Sequence, residues 1–87
     1  MRKAPPKPTP EWVKMVIGAR IRELRHAREL TQEALAERAD LHTNYVSSVE
    51  RGERNVGVCN LASLAHALDV PASALMQPLD ARRDSSK

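Results

Sequence analysis

The sequence predicts an all-α fold, a compact five-helix bundle. Apolar residues recur three and four positions apart along most of the chain, and no stretch alternates polar and apolar residues as a strand does. Near the middle, two short apolar stripes are separated by only a few residues, which predicts two short helices joined by a tight turn. A chain of 87 residues holds one domain with one core, which we place at residues 10–76.

The first ten residues contain four prolines and three basic side chains. Such a segment does not form a helix, so residues 1–9 are predicted to be a flexible basic arm. Helix one is predicted from Pro10 to Arg28, because Thr9 can cap it and proline suits the first turn. Its inward stripe consists of apolar residues at helical spacing, namely Val13, Ile17, Ile21 and Leu24.

The two short helices lie in the central stretch LTQEALAERADLHTNYVSSVERG. The hydroxyl of Thr31 can cap a helix over residues 32–39. Asp40 follows at the turn, where a left-handed backbone is tolerated by Asp and Asn better than by other non-glycine residues. A second helix over residues 43–51 ends at Gly52. Its inward residues are Val46 and Val49. Two short helices across a tight turn, the second with a narrow polar outer face, form a helix-turn-helix.

Helix four is predicted to begin at Gly57 and to stop before Pro71. Its inward face consists of Leu61, Leu64, Ala65 and Leu68. A last short helix is predicted over residues 72–76, and the polar residues 77–87 are predicted to fray as a C-terminal tail. The chain therefore reads as five helices with no internal repeat.

The charge of the chain is uneven. Residues 1–30 hold eight Lys or Arg against three Glu, within a net charge of +3, which favours a polyanionic partner. Residues 31–56 carry three Arg against five acids, which favours a protein partner instead. With one Trp, one Tyr and no Phe, the chain lacks stacking platforms for single strands or RNA.

Side chains that carry chemistry are few and scattered. The three histidines lie on different predicted elements without metal-ligand spacing, and no phosphate-binding loop or nucleophile–base pair is visible. We therefore expect no enzyme activity, no metal and no cofactor. Cys59 has no partner for an internal disulfide and is expected to pack as a small residue in a reducing cytoplasm. No apolar run approaches the ~20 residues of a membrane span.

The central stretch resembles the phage-repressor/Cro-like helix-turn-helix regulators, also called XRE-type or lambda-repressor-like. The resemblance is carried by Thr31-Gln32, Leu35-Ala36, Val46 and Val49-Glu50-Arg51-Gly52, and it extends over about residues 17–76. The stretch TNYVSSVERGERN is similar to the controller proteins of restriction-modification systems.

The resemblance implies a DNA-binding domain that acts as a sequence-specific transcriptional regulator on double-stranded DNA. It further implies a cytoplasmic, nucleoid-associated homodimer on a near-palindromic operator, joined through helix four and the C-terminal segment, with no small-molecule ligand domain. The alternative is a helical protein-interaction module or an antitoxin-type partner of another protein.

The resemblance also implies roles for particular side chains. Base edges would be read by the first part of the second helix, through Thr43, Asn44, Ser47 and Ser48. Phosphate contacts would come from Gln32, Tyr45, Arg51 and Arg54, with Arg20 and Arg22 as lesser candidates. Tyr45 can equally pack inward. A structural ion pair is expected between Arg25 and Glu50.

Two positions depart from the family pattern. Glu29 replaces a common Gly, so the turn after helix one is expected to be strained. His42 replaces the usual Ser, Thr or Asp cap, and Thr43 is the alternative cap, which would remove it from base reading. The basic arm either lies along DNA or is a disordered leader, and the leader is favoured.

Overall fold

The computed structural model describes residues 10–85, with side chains as far as residue 81. It contains five helices in this part of the chain: α1 (Glu11–Ala27), α2 (Gln32–Ala39), α3 (Thr43–Glu50), α4 (Val58–Ala67) and α5 (Ala72–Ser85). The predicted five-helix bundle with a helix-turn-helix is confirmed. The predicted basic arm at residues 1–9, which includes the Thr9 expected to cap helix one, lies outside the described residues.

The core is built from the apolar stripes that the sequence predicts. Its fully buried larger side chains come from all five helices and are Ile21, Leu35, Val46, Val49, Leu64, Leu68 and Leu75. Because α1 packs against α3 and α5, and α2 packs against α3 and α4, every helix shares this one core. Burial of these side chains is the main term that stabilises so small a bundle.

Four of the helices end in the same way. The first or second residue past each of these helices has a positive φ, namely Glu29 (56°), Asp40 (58°), Gly52 (78°) and Asp69 (59°). Its N–H donates to the carbonyl three residues back, and the next N–H donates to the carbonyl five residues back, at 2.9–3.2 Å. This is the Schellman arrangement, which normally takes glycine at the positive φ. The expected left-handed turn at Asp40 is confirmed, and Glu29 stands in the conformation that the missing glycine implied.

Helices α1 and α3 lie in close contact at Gly18. A Cβ atom on Gly18 would collide with the carbonyl oxygen of Val49 and lie 3.0 Å from that of Glu50. Only glycine lets the middle of α1 sit directly on the last turn of α3. This contact therefore helps to fix the position of α3 against α1.

The prediction for the C-terminal helix was wrong about its length. A short helix over residues 72–76 and a fraying tail were expected, whereas α5 continues through Pro78 to Ser85. Pro78 has no N–H for the carbonyl of Ala74, four residues earlier. Arg20 supplies the missing donor, since its Nε lies 2.9 Å from that oxygen. Leu79 also packs against the core and extends the buried face of α5 beyond the predicted end.

Across residues 10–85, no single helix has both the length and the apolar character needed to cross a membrane, and only α4 with the first part of α5 meets those requirements as a pair, bent by 109°.

Candidate nucleic-acid interface

The N-terminal end of α3 is capped by His42. The Nδ1 atom of His42 accepts a hydrogen bond from the backbone N–H of Asn44 at 3.0 Å, which satisfies one of the free donors at the start of the helix. Thr43 is therefore the first helical residue and not the cap. This settles the alternative left open by the sequence, and Thr43 and the exposed Asn44 both remain available at the outer end of α3.

The two serines of α3 differ in their surroundings. Ser47 is half-buried, and its hydroxyl accepts a hydrogen bond from Nη1 of Arg51, one turn further along. Ser48 is only 5% exposed. Its hydroxyl donates to the carbonyl oxygen of Tyr45 at 2.8 Å and accepts from Nε of Arg54 at 3.1 Å. Three of the four predicted base-reading residues thus share an accessible end of α3, whereas Ser48 faces inward with both hydrogen bonds made.

Arg54 lies against α3 although it belongs to the following loop. Its guanidinium carbon is 5.9 Å from the ring centre of Tyr45, within cation–π range, and its Nε is held by Ser48. The half-buried Tyr45 ring packs on the core, and its hydroxyl accepts from Nδ2 of Asn60 at 3.1 Å. Both ends of the Tyr45 side chain are therefore fixed, and Arg54 is positioned over its face.

Arg51 forms an exposed pair with Glu53. Its Nε and Nη2 donate to the two carboxylate oxygens at 2.9 and 3.1 Å, a two-pronged contact. The hydrogen bonds and charge of Glu53 raise the pKa of the guanidinium, and the Arg51 hydrogen bonds lower the pKa of the carboxyl group.

The buried carboxylate of Glu50 joins the first three helices. It accepts from Nε and Nη2 of Arg25 at 2.7 and 3.0 Å and from the Gln32 amide at 3.0 Å, while Nε of Arg22 lies 3.8 Å away. The expected Arg25–Glu50 pair is thus present, and Arg25 also donates to the carbonyl of Leu30 at 2.8 Å. Burial alone raises the pKa of Glu50, but the hydrogen bonds from Arg25 and Gln32 and the nearby charges outweigh it, so its pKa lies below the ordinary 4.5.

The predicted phosphate-contacting residues are not all brought together. Tyr45 belongs to α3, Arg51 and Arg54 follow that helix, and Gln32 and the exposed Arg22 lie next to its last residue, Glu50. Arg20 lies elsewhere, because its guanidinium bonds the Ala74 carbonyl of α5 and Glu23 of its own helix, both at 2.9 Å. Among the described side chains, no group of three or more His, Cys, Asp or Glu is placed to hold a metal ion.

Comparison with known proteins identifies the family. The family model for a helix-turn-helix domain matches residues 16–77. The chain belongs to this helix-turn-helix family. It is 41% identical over 64 residues to Control protein C.SmaI of Serratia marcescens, covering 74% of this chain and 76% of C.SmaI.

Solved helix-turn-helix structures agree with this assignment. The restriction-modification controller protein C.AhdI from Aeromonas hydrophila is 47% identical, with a TM-score of 0.70 over 71% of this chain and 94% of C.AhdI. The restriction-modification controller protein C.Esp1396I, solved as a tetramer in complex with its natural 35 base-pair operator, is 26% identical, with a TM-score of 0.71 over 78% of this chain and 90% of that one. The resemblance inferred from the central stretch is confirmed.

The roles of three residues of this helix-turn-helix domain were not predicted from the sequence. Gly18 carries no local signal, because its requirement comes from a neighbouring helix. Asn60 reaches Tyr45 from α4, 15 positions away. Glu53 was counted only among the five acids of residues 31–56, although its spacing of two from Arg51 across a glycine turn is compatible with pairing.

Proposed function

We propose that this helix-turn-helix protein is a sequence-specific transcriptional regulator that binds double-stranded DNA as a homodimer on a near-palindromic operator. The observation that carries the proposal is the outer end of α3. There Thr43, Asn44 and Ser47 are accessible on a helix whose orientation is fixed by Gly18 and by the buried Glu50. The operator complex of the similar C.Esp1396I supports the same use of the fold.

Base reading would come from the first turn and a half of α3. In the major groove, the exposed Asn44 amide can donate and accept in the pattern that adenine presents, and the Thr43 methyl can contact a thymine methyl. Ser47 becomes available once Arg51 leaves its hydroxyl. We assign Ser48 a positioning role instead, since it holds Nε of Arg54 and leaves the two terminal nitrogens of that guanidinium for DNA.

Phosphate contacts would come from Gln32, Arg51 and Arg54 on either side of α3, with Arg22 further out. Gln32 stands at the first position of α2, where free N–H groups favour a phosphate. We leave Arg20 out of the interface, because a phosphate contact would deprive the Ala74 carbonyl of its donor. With no arginine among the first residues of α3, DNA shape would carry part of the specificity.

The second subunit would dock on α4 and α5. Val58 at the start of α4 and Met76 on α5 are 82% and 47% exposed, which leaves apolar area for a partner to cover. A two-fold axis there would place the two α3 helices about 34 Å apart, one turn of DNA. Val58→Lys should shift sedimentation towards the monomer, whereas the matched variant Met15→Lys, also at an exposed apolar residue, should not. With DNA as its ligand, we place the protein in the cytoplasm on the nucleoid.

Selection of bound sequences from random duplex DNA at two salt concentrations tests the proposal. We expect an enriched two-fold-symmetric site whose affinity falls as salt rises.

Asn44→Ala should relax one position in each half-site. Arg54→Gln should weaken all sites and reduce the salt slope by about 0.9. Arg38→Gln, which removes the same charge from the far end of α2, is the control and should change neither. Weak binding without any motif would contradict the proposal and favour the protein-interaction alternative.

A further inference from the structure

Glu53 stands where the fold elsewhere places an apolar residue. The residue after the positive-φ position is Leu30 for α1, Leu41 for α2 and Val70 for α4, and all three pack against the core. An apolar residue at this position normally covers the helix end. At the end of α3 the equivalent residue is Glu53, which is exposed and contributes nothing to the core.

The Glu53 carboxylate instead occupies Arg51. The carboxylate accepts hydrogen bonds from Nε and Nη2, and the Ser47 hydroxyl accepts one from Nη1. All three guanidinium nitrogens of Arg51 therefore donate to groups within the chain. Arg51 therefore lies along the outer side of α3, from its C-terminal end back to Ser47. A carboxylate and a phosphate offer the same pair of acceptor oxygens to an arginine, so the two compete for it.

We propose that Glu53 is an intramolecular competitor of DNA phosphate that lowers the affinity for DNA by occupying Arg51. This inference rests on the proposed DNA-binding function. A phosphate must displace Glu53 before it can take the same two-pronged contact with Nε and Nη2 of Arg51. The Ser47 hydroxyl is released for a base edge only when Nη1 of Arg51 also moves away from it. Because both partners are exposed, the competition is modest and is screened by salt.

The size of the effect follows from the exposure of the pair. Exposed arginine–carboxylate pairs change equilibria by up to about fivefold, so freeing Arg51 should tighten binding about two- to fivefold at low salt. One additional arginine on phosphate releases about one more counterion, which steepens the slope of log affinity against log salt by about 0.9.

The test is a binding titration by fluorescence anisotropy on the selected operator and on a scrambled duplex, from about 50 to about 200 mM salt. Glu53→Gln removes the carboxylate charge and should show both changes on both duplexes. Glu23→Gln is the matched control, because Glu23 is likewise an exposed carboxylate that pairs with an arginine, Arg20, at 2.9 Å on the α5 side of α1. It should leave affinity and slope unchanged. In an Arg51→Gln background, Glu53→Gln should have no further effect.

Each failure has a distinct meaning. If the wild type binds its operator but Glu53→Gln behaves like Glu23→Gln, the competition is refuted and the proposed function stands. If Glu53→Gln tightens binding equally in the Arg51→Gln background, the carboxylate repels DNA directly and the inference is also wrong. If neither the wild type nor any variant binds duplex DNA at about 50 mM salt, both the inference and the proposed function fail. Thermal unfolding should match between wild type and Glu53→Gln, which verifies that folding is not the cause.

Discussion

Replacing Glu50 with glutamine should destabilise the protein far more than the same change at Glu53. Both carboxylates receive a two-pronged arginine, with shortest N–O distances of 2.7 Å for Arg25–Glu50 and 2.9 Å for Arg51–Glu53. They differ in exposure, since the side chains are 9% and 2% exposed in the first pair and 56% and 55% in the second. The comparison therefore tests burial together with the Gln32 hydrogen bond and the nearby Arg22, which only Glu50 has.

The expected magnitude follows from what each variant leaves behind. Glu50→Gln leaves the Arg25 guanidinium buried without a counter-charge, and breaking a buried pair costs about 3–5 kcal/mol. Gln can still accept one hydrogen bond, so we expect about 3 kcal/mol out of a total stability of about 5–15 kcal/mol. Glu53→Gln should leave the free energy of unfolding essentially unchanged, because both members of its pair are exposed to solvent. Urea unfolding followed by circular dichroism at pH 7 measures both. A loss at Glu50 no larger than at Glu53 would refute the reasoning.

The same pair predicts how stability changes with pH. The pKa of Glu50 is lower in the folded protein than its ordinary 4.5, so the folded state favours the ionised form. The stabilisation is therefore fully present above pH 4.5 and is lost as the pH falls through the folded pKa. The Glu50→Gln variant lacks this group, so its unfolding free energy should fall less steeply on acidification than that of the wild type.

Three further changes test the local geometry by urea or thermal unfolding. Glu29→Gly should stabilise the protein by about 0.5–1 kcal/mol, because glycine adopts positive φ without strain, whereas Glu29→Ala should bring no gain. His42→Ala should cost about 1 kcal/mol through the lost cap, and His42→Ser should restore it; equal stabilities would show that the cap is unimportant. Arg20→Met should cost about 1–3 kcal/mol in the wild type and less alongside Pro78→Ala, whose new N–H at position 78 can serve the Ala74 carbonyl. A double-mutant cycle without coupling would contradict that last contact.

The helix-turn-helix was predictable because its signals are local. The Thr31 hydroxyl was expected to cap α2, and it accepts from the Ala34 N–H at 3.0 Å. Asp40 was expected at a left-handed position and has φ 58°. Val46 and Val49 fall on one face by helical spacing alone, and both are buried.

The remaining features depend on contacts between distant parts of the chain. Where α5 continues past Pro78, the unpaired Ala74 carbonyl is served by Arg20, which lies 54 positions away in the sequence. Ser47 and Ser48 are adjacent polar residues, and nothing local shows that Ser48 turns inward towards Tyr45 and Arg54. His42 is an uncommon cap, so residue preferences pointed to Thr43 instead. Such contacts become visible only when the helices are packed together.

The turn after α3 places Glu50 and Glu53 in different surroundings, where they have different roles. Glu50 ends the helix pointing into the bundle, where it fixes α3 against α1 and α2. Gly52, at φ 78°, then redirects the backbone, and a Cβ there would lie 2.9 Å from the Met15 side chain. Glu53 follows on the outer side and pairs with Arg51. Because Gly52 redirects the backbone between them, Glu50 lies inside the bundle and orients α3, whereas Glu53 lies outside, where it is proposed to compete with DNA.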